Sequence, residues 1–102
     1  MRKEECRVNP EQIILVQTCP ACPEQYDAFG PDGKLVGYIR LRWGMLVVRP
    51  DAGSDEIIYS KSIGDRLTGA FESARQRHEE LENVKRAIIK HLGTSPFEAK
   101  MQ

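Results

Sequence analysis

The chain has 102 residues, 40% of them hydrophobic and 29% charged, with 15 Lys and Arg set against 15 Asp and Glu. That length predicts one domain with a modest core, and that composition a globular chain rather than a disordered one. Zero net charge excludes a whole-molecule field drawing the protein to nucleic acid or anionic lipid, and neither half of the chain is strongly basic or acidic.

Residues 1–12 form a charged N-terminal segment. The apolar run that follows, Ile13-Ile14-Leu15-Val16, is four residues long. A signal-peptide core needs about 7–15 apolar residues and a membrane span about 20, so no membrane contact is expected. Three cysteines cannot all pair within one chain, which points to reduced thiols and a cytoplasmic location.

Residues 13–18 read as a first strand, ended by the loop Cys19-Pro20-Ala21-Cys22-Pro23. Residues 25–29 and 34–42 flank Gly30-Pro31-Asp32-Gly33, a sequence whose proline, aspartate and second glycine suit successive positions of a tight hairpin loop. Trp43-Gly44 reads as a second turn, although Trp is a poor residue for positive φ. Residues 45–49 form the next strand, and Pro50-Asp51-Ala52-Gly53 turns the chain into residues 56–60. Together residues 13–60 predict a meander of four to five antiparallel strands.

From about Asp65 the apolar period changes from two to roughly 3.6 residues. Leu67, Phe71, Ala74, Leu81, Val84, Ile88 and Leu92 fall on one stripe, so a long helix is expected over 62–92, with a tail over 93–102. Ser62 and Asp65 resemble a capping pair, and Gly93 suits the helix stop. The expected fold is α+β, a meander with one face covered by that C-terminal helix.

Pairing outwards from the first turn sets Phe29 opposite Leu35, Tyr26 opposite Tyr38 and Glu24 opposite Arg40. The second turn sets Leu41 by Leu46, Ile39 by Val48 and Tyr38 by Arg49. One face then holds Phe29, Leu35, Ile39, Leu41, Leu46 and Val48, a core for Leu67, Phe71 and Ala74 to cover. The other holds Glu24, Tyr26, Tyr38, Arg40, Arg42 and Arg49. Tyr and Arg anchor protein interfaces, so Tyr26, Tyr38, Arg40, Arg42 and Arg49 are the candidate partner-binding residues. The same residues also suit stacking on unpaired bases, a reading that neutral charge disfavours. They suit equally a solvated face held by cross-strand pairs.

The distal stripe Leu81, Val84, Ile88 and Leu92 extends beyond the reach of a short strand, and an apolar stripe in water predicts a homodimer interface. The competing expectation is a chain that kinks near Gly69 and folds this stripe back over the first strand.

Cys19 and Cys22 have zinc-knuckle spacing, but a closed site needs four ligands, and only Cys6, His78 and His91 remain as soft donors. They read as loop cysteines; no metal or other cofactor is expected, and Cys19 and Cys22 are the ligands if one is held. No phosphate loop, His-Glu-x-x-His helix or nucleophile–base arrangement is legible, so a non-enzymatic protein is expected. A small enzyme would need an active site between subunits.

The runs Cys22-Pro23-Glu24-Gln25-Tyr26-Asp27 and Val36-Gly37-Tyr38-Ile39-Arg40-Leu41-Arg42 resemble a group of small bacteriophage and mobile-element proteins. The similarity spans about a quarter of the chain. That group has no established activity. The resemblance implies a small intracellular protein that acts by binding, inhibitors of host defence included, with an unidentified host protein as partner.

Overall fold

A computed structural model describes residues 9–93; the expectations for residue Cys6 and for the tail after Gly93 lie outside them. A 3-10 turn (Pro10–Gln12) leads into five strands, β1 (Ile14–Pro20), β2 (Glu24–Phe29), β3 (Leu35–Arg42), β4 (Met45–Arg49) and β5 (Tyr59–Ser62), followed by one helix, α1 (Ala74–Gly93). The strands form a single antiparallel sheet in sequence order, so every strand pairs with its neighbour in the chain. The α+β meander is therefore the fold.

The first turn behaves as its residues dictate. Gly33 donates its N–H to the Gly30 carbonyl at 2.9 Å and lies at φ +82°, where a Cβ would be penalised. Phe29 pairs with Leu35 as expected, but Ala28 pairs with Gly37, because one extra residue, Val36, is accommodated in β3. A bulge of one residue exchanges the faces of everything beyond it. Tyr26 consequently pairs with Ile39 and Glu24 with Leu41, which puts both on the core face. The second turn holds as expected: Arg42 pairs with Met45, Leu41 with Leu46, Ile39 with Val48 and Tyr38 with Arg49. Trp43 and Gly44 both take positive φ, as a two-residue primed hairpin turn requires.

The core collects Ile13, Tyr26, Ala28, Ile39, Leu41, Leu46, Val48, Ile63 and Phe71 with Leu81, Val84 and Ile88 of the helix. Leu35, expected there, is exposed, and Phe29 is half-buried. Residues 63–73 are not helical. They cross the end of the sheet as a loop, in which Leu67 is exposed and Phe71 buried. The Gly69 carbonyl accepts the N–H groups of Cys22 at 2.9 Å and Glu24 at 2.8 Å, which ties this loop to the start of β2.

The helix begins where its own cap sits. Ser73 Oγ accepts the N–H of Gln76 at 3.0 Å, and Gln76 Oε1 reaches back to accept the N–H of Glu72 at 2.7 Å. The 20 residues that follow span about 30 Å at 1.5 Å per residue, which the sheet can match. The helix crosses from Arg77, over Glu24 at the start of β2, to Ile88, over Gly37 at the start of β3. A Cβ built on Gly37 would stand 2.9 Å from Ile88 Cδ1, so the missing side chain is what lets the helix approach. Val84 and Ile88 are fully buried and Leu81 nearly so. The expected dimer stripe is thus the helix's contribution to its own core, and of that set only Leu92 is exposed. No helix among the described residues is long and apolar enough to cross a membrane.

Candidate functional site: the uncovered face of the sheet

One helix covers one side of the sheet. The other side carries Gln25, Asp27 and Phe29 from β2, Tyr38, Arg40 and Arg42 from β3, and Met45, Val47 and Arg49 from β4, all out of phase with the buried residues of the same strands. Ile14 and Val16 of β1 share this face through their pairing with Phe29 and Asp27. Ser60 and Ser62 of β5 share it through Val47 and Met45.

Four of the five expected partner-binding residues, Tyr38, Arg40, Arg42 and Arg49, come together here. Tyr26 does not: it is 6% exposed and lies beneath the helix, because the bulge at Val36 turns β2 over. Tyr38 sits between Asp27 and Arg49 and donates its hydroxyl to Gln25 Oε1 at 2.8 Å, which fixes the ring along the strand. Arg40 lies between Gln25 and Val47. At the tip of the β3–β4 hairpin, the Arg42 guanidinium stacks 4.9 Å from the centre of the Trp43 ring. Trp43 is 65% exposed, and Ile14, Val16 and Met45 are exposed beside these groups. Among the strand residues of this face, three arginines stand against one carboxylate, Asp27. A locally cationic surface therefore exists on a chain of zero net charge. Reading the turns alone missed Ile14, Val16 and Trp43, although strict alternation along Ile14-Leu15-Val16 carries the signal for the first two.

Under the helix, Glu24 is 1% exposed and is the buried charge of the core. Its carboxylate accepts hydrogen bonds from Arg77 Nε at 2.6 Å, Tyr26 Oη at 2.5 Å and the Phe71 N–H at 3.0 Å. Gln17 Nε2 donates to the Tyr26 hydroxyl at 3.3 Å. Burial pushes the carboxyl up, but the bonds from Arg77, Tyr26 and Phe71, with the Arg77 charge, outweigh it and hold Glu24 below its ordinary 4.5. Burial and then the neighbouring Glu24 carboxylate push the Tyr26 phenol up to about 12. Every buried side-chain polar atom among the described residues has a partner, so this network is closed and joins strand, loop and helix.

Cys19, near the end of β1, and Cys22, in the β1–β2 connection, are free thiols, and Cys19 Sγ lies 3.5 Å from the Ala21 carbonyl. Among the described residues no three His, Cys, Asp or Glu side chains gather as a metal-holding group. His91 approaches Glu56 at 3.8 Å and lines an open-sided groove of about 340 Å³ with Ile58, Tyr59, Ala87 and Lys90. No Ser, Thr or Cys side chain is among those lining residues. No protein-family profile, curated protein or solved structure matches the chain.

Proposed function

We propose that the protein is a small non-enzymatic interaction module that docks a partner protein on the uncovered face of its sheet. The observation that carries this is the gathering of Tyr38, Arg40, Arg42 and Arg49 with exposed Trp43 on a side that no element of the described chain covers. Tyr, Trp and Arg are the residues that most often dominate binding energy, and here the Tyr and Arg stand on strands and the Trp in the tight turn that joins two of them. Three arginines to one carboxylate favour an acidic partner surface. The similarity to mobile-element proteins suggests a host protein as that partner and inhibition as the result, in the cytoplasm where free thiols persist.

The test is capture from host lysate by immobilised wild type, compared with Tyr38→Ala and Arg40→Ala. Each substitution should weaken the captured complex by more than about 1 kcal/mol while leaving the melting temperature nearly unchanged. Equal capture by all three proteins sinks the assignment. The stacked Arg42–Trp43 pair, with Tyr38 on the same face, favours a second reading as a platform for single-stranded nucleic acid. That reading predicts oligonucleotide binding that falls steeply with added salt, and no binding at low salt disposes of it.

A further inference from the structure

The two edges of the sheet are built differently. β5 is four residues long, carries Lys61 in an ion pair with Glu80 at 2.9 Å, and follows the acidic pair Asp55-Glu56. Short length and charge are the usual means by which a sheet edge avoids pairing with another chain. β1 is seven residues long, and Ile14-Leu15-Val16-Gln17-Thr18 contains no charge and no proline. Its irregularities, the register shift between Gln17 and Cys19 and the proline at position 20, fall at the far end. Ile14 and Val16 are 54% and 48% exposed along it. Among the described residues nothing pairs with its outer side.

We propose that β1 is a self-association edge, through which two copies pair antiparallel about a twofold axis into one continuous ten-stranded sheet. An antiparallel edge meets a second copy of itself with complementary backbone donors and acceptors, so one sequence satisfies both sides of the axis. In a chain that is 29% charged, five consecutive uncharged edge residues set no like charges opposite each other in any self-paired register. The alternative pairing of β1 with the β5 edge of another copy leaves both outer edges open and grows without limit, and Lys61 stands against it. The twofold axis runs through the sheet, so both helices lie on one side and the two cationic faces join on the other. Ile14 and Val16 of each copy meet at the centre of that joined face, where their exposure falls.

Sedimentation velocity on the full chain in reducing buffer, from low micromolar to hundreds of micromolar, tests this. The expected result is a concentration-dependent passage from monomer to dimer. Val16→Lys places like charges near the axis and should weaken the dimer at least roughly tenfold. Ser60→Lys on the opposite edge should leave it unchanged. Hydrogen exchange should show amides of residues 14–17 gaining protection as wild type is concentrated, and not in Val16→Lys. If circular dichroism shows Val16→Lys unfolded, Thr18→Lys, exposed on the same strand, replaces it. A strictly monomeric wild type, a dimer indifferent to charge on β1, or an open-ended series of species overturns the proposal.

Discussion

Arg77 Nε lies 2.6 Å from Glu24 Oε2, so a guanidinium one turn into the helix closes on a carboxylate at the start of β2, 53 residues earlier in the chain. The same carboxylate takes the Tyr26 hydroxyl and the Phe71 N–H. Glu24→Ala should therefore cost on the order of 3 kcal/mol, because three donors lose their shared acceptor and one of them is charged. Urea unfolding followed by far-ultraviolet circular dichroism measures it. Glu24→Gln, which keeps the shape and one acceptor, should cost less. A midpoint unmoved by Glu24→Ala would show that the network contributes nothing.

The same groups set opposite pH limits. Glu24 titrates lower in the folded protein than its ordinary 4.5, so its contribution is present above that value and is lost as pH falls below it. Tyr26 titrates at about 12 when folded against 10.0 ordinarily, so between those values the unfolded chain has already released a proton that the folded one keeps. Stability should thus fall as pH rises from 10.0 towards about 12. Tyr26→Phe should flatten that alkaline limb and, by removing one of the hydrogen bonds that hold the Glu24 carboxyl down, shrink the acid limb without abolishing it, because Arg77 and the Phe71 N–H remain. An alkaline limb identical in both proteins would assign it elsewhere.

Gly37 and Ile88 form a contact that a single methyl decides. Gly37→Ala sets a Cβ 2.9 Å from Ile88 Cδ1 in a fully buried site, and overpacking of this kind costs about 1–3 kcal/mol. Ile88→Val removes that Cδ1 and by itself costs about 0.5–1.5 kcal/mol. The double variant should be more stable than the sum of the two costs allows, by at least about 0.5 kcal/mol in a double-mutant cycle. Strict additivity would mean that the helix does not sit on Gly37 as described.

The meander was legible because its turns are written in residues whose backbone preferences leave few alternatives. Gly30-Pro31-Asp32-Gly33 and Trp43-Gly44 each set the pair next to them correctly. What the turns do not carry is the extra residue in β3, and with it the face of Tyr26 and Glu24. A glycine inside a strand is a usual mark of a bulge, and Gly37 stood in plain sight. The helix start was misplaced for a related reason. Apolar period ran back through Phe71 and Leu67, but Ser73-Ala74-Arg75-Gln76 is the capping sequence the chain uses, and it outranks a stripe that continues by coincidence. With the helix 20 residues long, Leu81, Val84 and Ile88 have partners within the monomer. The Arg and Tyr residues of β3 and β4 were legible as one face because no bulge separates them from the second turn. The buried Glu24–Arg77 pair was not, since it joins residues that only the loop over residues 63–73 brings together.

The placement of Trp43 also governs how the protein reports on itself. It is the chain's single tryptophan, and it stands in water at a hairpin tip rather than in the core. Its emission in the folded state should already resemble that of the free indole, so melting the core changes the signal little. Intrinsic fluorescence is then a weak monitor of unfolding, and a blue shift in it would register burial of this corner under another molecule.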